Sequence, residues 1–425
     1  MRSHTAGRVR SGLAALALFV SSVSGAQAQT SSQTPPDPAG WVAVWGASQY
    51  APEPHNALPA DALKAATLRQ IVRVTAGGGV IRLRVTNAFG SKPLRIASAT
   101  VARPVVGGGS AIDPASTRPV LFDGQQGVIV PPGADYLSDP LVWAVAALDD
   151  VAISLSVVDA GEAQTGHPGA RATTFVAPGD QVAAPTLADA QTVDHWYFVA
   201  AVEAHDADLD GAVVVLGDSI TDGYGVPADT NQRWTDRLAI RLQGVPETRG
   251  LSVVNQGIGG NRLLLDGLGP NLLARLERDV LSQSGVRFLI VLEGVNDLGV
   301  LTRDQPASAE AHAAVVAQMT GVYRQIVERA RARGVRVIGA TIMPYGGSEY
   351  YHPTPENEAD RQALNAWIRT PGNFDAVIDF DRVMADPTRP DRLHPDVDSG
   401  DGLHPSMAGY LAMGDAVPLT VFEAP

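Results

Sequence analysis

Cysteine is missing from all 425 residues of the chain, and this absence removes several kinds of chemistry at once. Disulfide bonds, thiolate zinc sites and cysteine nucleophiles are all excluded. Positive charge is scarce as well, because 32 Lys and Arg residues stand against 45 Asp and Glu residues and the formal net charge is -13. An acidic chain lacks the electrostatic footprint that binds nucleic acid or anionic membranes, so neither is an expected partner.

Long apolar runs are also missing. The first segment that could be a signal peptide or a membrane span contains only a short apolar stretch near the N-terminus. Three arginines within the first ten residues precede the apolar stretch Gly12 to Val20, and Ala26-Gln27-Ala28 has the small-x-small form of a cleavage site. This order predicts a signal peptide over residues 1–28, cleaved near Ala28. The stretch is too short to span a bilayer comfortably, so we expect a secreted or periplasmic protein without stable membrane insertion.

The first half of the mature chain has the texture of β-structure. Residues 29–40 are rich in Ser, Thr, Gln and Pro and are typical of a linker. Between residues 41 and 206, the segments Val80 to Val85 and Val151 to Val157 alternate apolar residues with others, which predicts half-buried antiparallel strands. We therefore expect an all-β sandwich or jelly-roll accessory domain over residues 41–206.

The second half, residues 207–425, alternates short apolar runs with helical patterns. Such a pattern predicts a parallel sheet covered by helices on both faces. The chemistry of such a sheet belongs in the loops that follow the carboxyl ends of the strands. The apolar runs are Gly211 to Leu216, Leu251 to Val254, Phe288 to Leu292, Val335 to Ala340 and Ala376 to Ile378.

Three of these runs are followed by residues suited to acyl chemistry. Ser219 lies in Gly217-Asp218-Ser219 directly after the first run, where a tight turn can expose a nucleophile. Gly259 and Gly260 follow the second run and allow a backbone N–H to approach a ligand closely. Asn296 follows the third, where its amide can donate to a developing oxyanion. Taken alone, Gly-Asp-Ser and the glycines are more typical of ordinary turns, and Asn296 is as typical of a helix cap as of an oxyanion donor.

An acid-base pair near the end of the chain could supply the general base that a serine nucleophile needs and the carboxylate that orients this base. His404 can act as a general base, and Asp401, three residues earlier, can orient it. The same spacing occurs in Asp391 and His394, so there are two candidate pairs. We prefer Asp401 and His404 because Gly402 gives that loop freedom and a helical segment follows at once. We expect His394 to be a surface or rim residue.

Taken together, these four blocks resemble the SGNH hydrolases, also called the GDSL family, over residues 211 to about 418. The resemblance implies a flavodoxin-like three-layer α/β/α domain with five parallel strands. It implies that Ser219 is the nucleophile and that Asp401 and His404 complete its triad. It also implies an oxyanion hole made by the N–H groups of Ser219 and Gly260 and by the side chain of Asn296. Neither a metal nor another cofactor is expected.

The first half resembles a β-rich domain that precedes this hydrolase domain in a bacterial subfamily of acyl- and arylesterases. The likeness rests on Arg69, on Asn87-Ala88-Phe89-Gly90 and on Ser138-Asp139-Pro140. It says little about the substrate, and a packing role for this half is as plausible as carbohydrate binding.

Polar and aromatic residues in the loops after the strands suggest the substrate. Tyr224, Arg262 and Tyr345 combine aromatic faces with hydrogen-bond donors, which suit a sugar ring better than an alkyl chain. We therefore expect a small-molecule or polysaccharide substrate, with a short acyl group, chiefly acetyl, on a carbohydrate or aryl alcohol. The alternatives are a lysophospholipase or thioesterase, an acetyltransferase with the same triad, and a glycan-binding protein whose hydrolase domain is inert.

Overall fold

A computed structural model describes residues 40–59 and 61–423 of the chain. The predicted signal peptide over residues 1–28 lies outside the described residues, as does all but the last residue of the predicted linker.

The described residues between 41 and 205 form fourteen strands in antiparallel pairs, and the two alternating segments predicted as strands lie in β3 and β9. Most of them belong to two sheets, with the orders β1-β14-β3-β7 and β12-β11-β2-β9-β4-β5; β8 pairs with β3, and β6 with β4. The strands β10 and β13 form a small separate ladder. The bounds are β1 Trp41–Gly46, β2 Ala66–Arg73, β3 Gly78–Thr86, β4 Leu94–Ala102, β5 Arg118–Val120, β6 Val128–Val130, β7 Asp135–Leu137, β8 Leu141–Val145, β9 Asp150–Asp159, β10 Gly166–Pro168, β11 Thr174–Pro178, β12 Gln191–Val193, β13 His195–Tyr197 and β14 Val199–His205.

The two large sheets of this β-rich half share one hydrophobic cluster. The cluster contains Val44 and Ile81 from the first sheet and Leu68 and Leu155 from the second, all buried. A shared core between two antiparallel sheets is the arrangement of a β-sandwich. The finer jelly-roll topology stays a prediction.

Strands β3 and β9 are buried on both faces, whereas the alternation predicts strands with one solvated face. On β3, Arg84 points away from the core but is 8% exposed, because its guanidinium binds Glu203 at 2.5 Å and the Ser282 carbonyl oxygen at 3.1 Å. On β9, Ser154 is covered by the side chain of Arg69, whose Nε donates to Ser154 Oγ at 2.8 Å. Tertiary partners cover faces that look solvent-exposed in the sequence.

The second half contains the five parallel strands that the apolar runs predict. Their order is β16-β15-β17-β18-β19, which is the 2-1-3-4-5 order of flavodoxin-like sheets. The three-layer arrangement of the helices around it stays a prediction. The strands are β15 Gly211–Gly217, β16 Leu251–Gly257, β17 Val286–Leu292, β18 Arg336–Ala340 and β19 Ala376–Ile378, followed by the short hairpin β20 Ala385–Asp386 and β21 Arg389–Leu393.

Up to residue 423, where the described chain ends, eight α-helices lie among the strands of this hydrolase half. The predicted four-residue spacing is observed on α2, where Trp234, Leu238 and Leu242 are completely buried in the main hydrophobic cluster. The helices are α1 Ser219–Asp222, α2 Trp234–Gln243, α3 Leu272–Leu276, α4 Val295–Thr302, α5 Ala309–Arg331, α6 Pro355–Arg369, α7 Phe380–Met384 and α8 Met407–Ala416. None of the helices in the described part of the chain is long and apolar enough to cross a membrane.

The two halves pack against each other through buried polar groups. Ser48 of the β-rich half donates to Asp279 Oδ2 at 2.6 Å and accepts from Arg275 Nη1 at 2.8 Å. Thr75 Oγ1 accepts from the N–H of Val253, at the edge of the parallel sheet, at 2.9 Å. All described residues accordingly belong to one compact unit. The β-rich half is thus held rigidly against the hydrolase half.

Candidate active site

Ser219 is the first residue of α1, immediately after the carboxyl end of β15. The Asp218 carboxylate caps this helix by accepting from the Ile220 N–H at 2.9 Å. Gly217 is required by crowding, because a Cβ there would lie 2.2 Å from Thr221 Oγ1 and 2.7 Å from the Leu292 carbonyl oxygen. The sequence Gly-Asp-Ser therefore folds into a tight strand-to-helix turn that places the serine hydroxyl above the sheet.

The last long loop brings an imidazole and a carboxylate to this hydroxyl. Ser219 Oγ lies 2.8 Å from His404 Nε2, and His404 Nδ1 lies 2.6 Å from Asp401 Oδ2. The other carboxylate oxygen, Asp401 Oδ1, accepts from the N–H groups of Leu403 and His404 at 2.9 and 2.8 Å. The preferred Asp-x-x-His pair is thus the one that contacts Ser219.

The Asp401 carboxylate is held in its ionised form. Partial burial alone would raise its pKa, but the hydrogen bonds from the His404 ring and from the N–H groups of His404 and Leu403 lower the pKa of Asp401 well below its ordinary value. An ionised carboxylate against Nδ1 fixes the tautomer that leaves Nε2 free to accept the serine proton.

The competing pair lies elsewhere. His394 is partly exposed, with 39% of its side chain accessible to solvent. Its Nδ1 accepts from the Asp396 N–H at 3.2 Å, and it does not line the cleft around Ser219. This placement agrees with the expectation of a surface residue.

The three predicted oxyanion donors face the same cleft. Gly260 has a φ of +71°, which favours glycine, and its N–H has no acceptor among the described residues. Asn296 Nδ2 donates one hydrogen to the Asn261 carbonyl oxygen at 2.8 Å, which leaves its second hydrogen for a ligand. The Asn296 amide is oriented from its other end by Tyr351, whose hydroxyl donates to Oδ1 at 2.5 Å.

Asp297 fixes the loop that carries Gly260. Its two carboxylate oxygens accept from the N–H groups of Leu263 and Leu264 at 2.8 and 3.0 Å. Sequence reasoning missed both Asp297 and Tyr351 as supporting residues. Asp297 follows Asn296 directly, and this adjacency was the one local signal available.

Three carboxyl groups are buried close to the nucleophile. Burial raises the pKa of Asp218 and of Asp297 from 3.8 to about 6 in each case, and it raises the pKa of Glu293 well above its ordinary value. Both Glu293 oxygens lack a hydrogen-bond partner among the described residues. The region below Ser219 thus favours neutral carboxyl groups, in contrast to Asp401.

The cleft has a volume of about 1190 Å³, and both halves of the protein form its walls. The hydrolase half contributes Ser219, His404 and the oxyanion donors. The β-rich half contributes the segments 50–56 and 168–171 together with Asp194 and His195. The β-rich half therefore borders the site directly, which the sequence left open.

Two of the three predicted substrate-binding residues line this cleft. Tyr224 is 48% exposed, and Arg262 lies beside Gly260. Tyr345 is 1% exposed and packs in the core against Tyr351, so the structure does not place it where a substrate could touch it. Tyr350 is the exposed tyrosine of that loop and lines the cleft instead. Tyr345, Tyr350 and Tyr351 all follow the fourth parallel strand in the sequence, and nothing local to them shows which one faces outward.

The geometry defines a class of enzyme. A serine hydroxyl bonded to an imidazole, which is bonded in turn to a carboxylate, beside convergent N–H donors, is the arrangement of a serine hydrolase. Residues 215–412 match the model of the GDSL-like Lipase/Acylhydrolase family, so the chain carries a domain of that family and is a carboxylic ester hydrolase.

Several solved structures resemble about half of the chain. A GDSL-like lipase from Bacteroides thetaiotaomicron is 20% identical, with 49% of this chain and 87% of the other covered and a TM-score of 0.36. An acetylxylan esterase from Geobacillus stearothermophilus is 23% identical, with 50% and 94% covered and a TM-score of 0.38. Both scores are low, so the assignment rests on the family match and the site geometry. No curated protein sequence matches the chain.

Proposed function

We propose that this protein is an exported serine esterase that removes short acyl groups, chiefly acetyl, from carbohydrate or aryl alcohols. The observation that carries the catalytic assignment is the continuous hydrogen-bonded chain from Ser219 through His404 to Asp401 in an open cleft. Export rests on the sequence pattern of residues 1–28.

Acylation begins at the serine hydroxyl. His404 Nε2 takes the Ser219 proton while Oγ forms a bond to the ester carbonyl carbon, and the carbonyl π electrons move to oxygen. The N–H groups of Ser219 and Gly260 and the free Asn296 hydrogen bind that oxyanion; one such donor is typically worth about 3 kcal/mol of barrier. The intermediate then collapses, the C–O bond to the alcohol breaks, and His404 returns the proton to the leaving oxygen.

Deacylation repeats these steps with water. His404 removes a proton from water as the water oxygen attacks the acyl carbon, and Ser219 leaves with the proton that His404 returns. The carboxylate of Asp401 stabilises the imidazolium in both halves of the cycle. Because no step uses a metal, we expect activity to survive EDTA.

The lining of the cleft supports a polar substrate. Polar groups face it from both halves, and the exposed ring of Tyr350 offers a surface of the kind that packs on sugar rings. The test is a chain-length series of p-nitrophenyl esters, with acetate release from acetylated xylan measured alongside. We expect acetate to give the highest kcat/KM, and release from xylan that Ser219→Ala abolishes.

One observation favours a second candidate, an esterase for longer acyl chains. An apolar groove of about 630 Å³ is lined by residues such as Leu264, Leu265 and Leu301, and it shares Val300 with the lining of the cleft. If kcat/KM climbs with chain length, if Leu265→Asp abolishes that climb, and if xylan releases no acetate, the lipid-esterase alternative replaces the first proposal.

A further inference from the structure

The imidazole of His404 is stacked on an aromatic ring that the β-rich half also touches. The rings of Tyr224 and His404 are 4.1 Å apart between centroids, with 29° between their planes. The guanidinium carbon of Arg171, in the loop after β10, lies 5.5 Å from the centroid of the same Tyr224 ring. The chain of contacts from Ser219, His404 and Asp401 therefore continues to Tyr224 and Arg171.

Tyr224, which stacks on the imidazole, and Arg171, which lies over Tyr224, are both fixed in place. Arg171 Nε donates to the carbonyl oxygen of Gly223, the residue that ends α1, at 3.2 Å. The Arg171 backbone oxygen accepts from the Asp229 N–H of the hydrolase half at 3.0 Å. The carbonyl oxygen of Tyr224 accepts from the Tyr410 hydroxyl at 2.8 Å. The stack is thus anchored from both halves and from α8.

From this geometry we infer that Tyr224 is a positioning residue for His404, and that Arg171 of the β-rich half adjusts the proton affinity of that imidazole. The inference rests on the proposed role of His404 as general base. It changes the sequence-based interpretation of Tyr224, because the part of the ring packed on His404 is not available to a substrate.

Tyr224 and Arg171 affect the stability of protonated His404 in opposite directions. The face of an aromatic ring attracts a cation, so the Tyr224 stack favours protonated His404. Arg171 carries a permanent positive charge within roughly 10 Å, about one Debye length at 0.1 M salt, and disfavours it. The acid limb of the pH profile therefore reflects a balance between the two residues.

Other charged groups near the imidazole set the background for this balance. Asp401 lies on its own loop, Asp218 and Asp222 flank the nucleophile, and Asp194 lies 3.9 Å from Arg171 in a loose, half-exposed pair. Removing Arg171 leaves the Asp194 charge without its cation. That change also favours the imidazolium, so it adds to the expected direction.

The experiment is the pH dependence of kcat/KM for p-nitrophenyl acetate, measured on the full mature chain. Arg171→Gln should move the acid limb up by roughly half a pH unit, whereas Arg171→Lys, which keeps the charge, should leave the limb in place. Tyr224→Leu keeps apolar cover over the imidazole but removes the π face, so it should move the acid limb to lower pH. The factor by which kcat falls should be about ten times the factor by which KM rises. Tyr224→Phe should restore both.

A matched control is present in the β-rich half. Arg103 lies 4.6 Å from the Trp143 ring and pairs with Asp149, but it does not line the cleft. Arg103→Gln should therefore leave the profile unchanged.

Three other outcomes would contradict the inference or the proposed function. Arg171→Gln and Tyr224→Leu variants that melt like the parent protein but keep its acid limb would overturn the inference. A rise in KM alone in Tyr224→Phe would instead show a substrate contact through the hydroxyl. If the parent protein itself hydrolyses no ester, it is the proposed function that fails.

Discussion

Within residues 40–59 and 61–423, the hydroxyl of Ser219 has one side-chain partner, His404, so its removal should affect chemistry and little else. Ser219→Ala should lower kcat for p-nitrophenyl acetate by on the order of a thousandfold or more. Alanine is a good helix former at the start of α1, so the melting temperature should stay within a few degrees of the parent value. Turnover near the parent rate in a folded variant would disprove the assignment of the nucleophile.

The duplicated Asp-x-x-His spacing provides an internal control at the residue scale. His404→Ala should be about as damaging as Ser219→Ala, because the members of a triad act as a unit. His394→Ala removes a partly exposed ring outside the cleft and should change kcat less than twofold. Steady-state kinetics of both variants decide the matter, and a reversal of the two results would reassign the base.

Glu293 gives a prediction about the pH dependence of stability. Its pKa is raised in the folded protein, so its contribution is fully present below the ordinary value of 4.5 and is lost as pH rises through the folded value. Asp218 and Asp297 have the same sign, with losses between 3.8 and about 6. Since the Glu293 oxygens have no hydrogen-bond partner in the described part of the chain, Glu293→Gln should match the stability of the parent protein near pH 4 and exceed it increasingly at higher pH.

Thermal melts between pH 4 and 8 measure this difference. A variant that tracks the parent protein at every pH would show that Glu293 ionises without cost.

At the scale of elements, the oxyanion loop between β16 and α3 depends on one carboxylate of α4. Asp297→Ala would release the N–H groups of Leu263 and Leu264 and let the Gly260 loop move. We expect kcat to fall by roughly ten- to a hundredfold, because a single oxyanion donor is worth about that much or more. The matched change Asp304→Ala, just after α4, removes a largely exposed carboxylate that pairs with Arg303.

Kinetics of the two aspartate variants, with circular dichroism as a check on folding, separate a loop anchor from a general effect of lost charge. Equal kcat values for both variants would count against the anchor.

Elements with strong local patterns could be predicted, and others could not. The five parallel strands were visible because each contains a short apolar run, and α2 because Trp234, Leu238 and Leu242 repeat along one face. Three-residue strands such as β5 and β13 have no room for a period and were missed. Within the site, the motif residues could be predicted. Tyr351, Asp297 and Arg171 could not, because their roles arise from contacts between segments distant in sequence.

On the scale of the whole molecule, the shared polar interface predicts cooperative behaviour. Ser48 and Thr75 make buried hydrogen bonds across the two halves and Arg84 makes a partly buried one, so separating the halves would break all of these bonds. We expect one unfolding transition for the mature chain in calorimetry. Residues 207–425 expressed alone should be poorly soluble or melt well below the full chain. Two separated transitions, or a stable and fully active fragment, would show that the halves are independent.

The order of the site residues along the chain has a consequence for synthesis. Ser219 and His404 are 185 residues apart, and the imidazole belongs to the last loop before α8. A ribosome that has completed the nucleophile turn, the oxyanion loop and all five parallel strands has still made no hydrolase. The activity arises when the loop that carries His404 emerges and folds back onto the sheet. Nascent chains, and chains terminated before this loop, should therefore have no esterase activity.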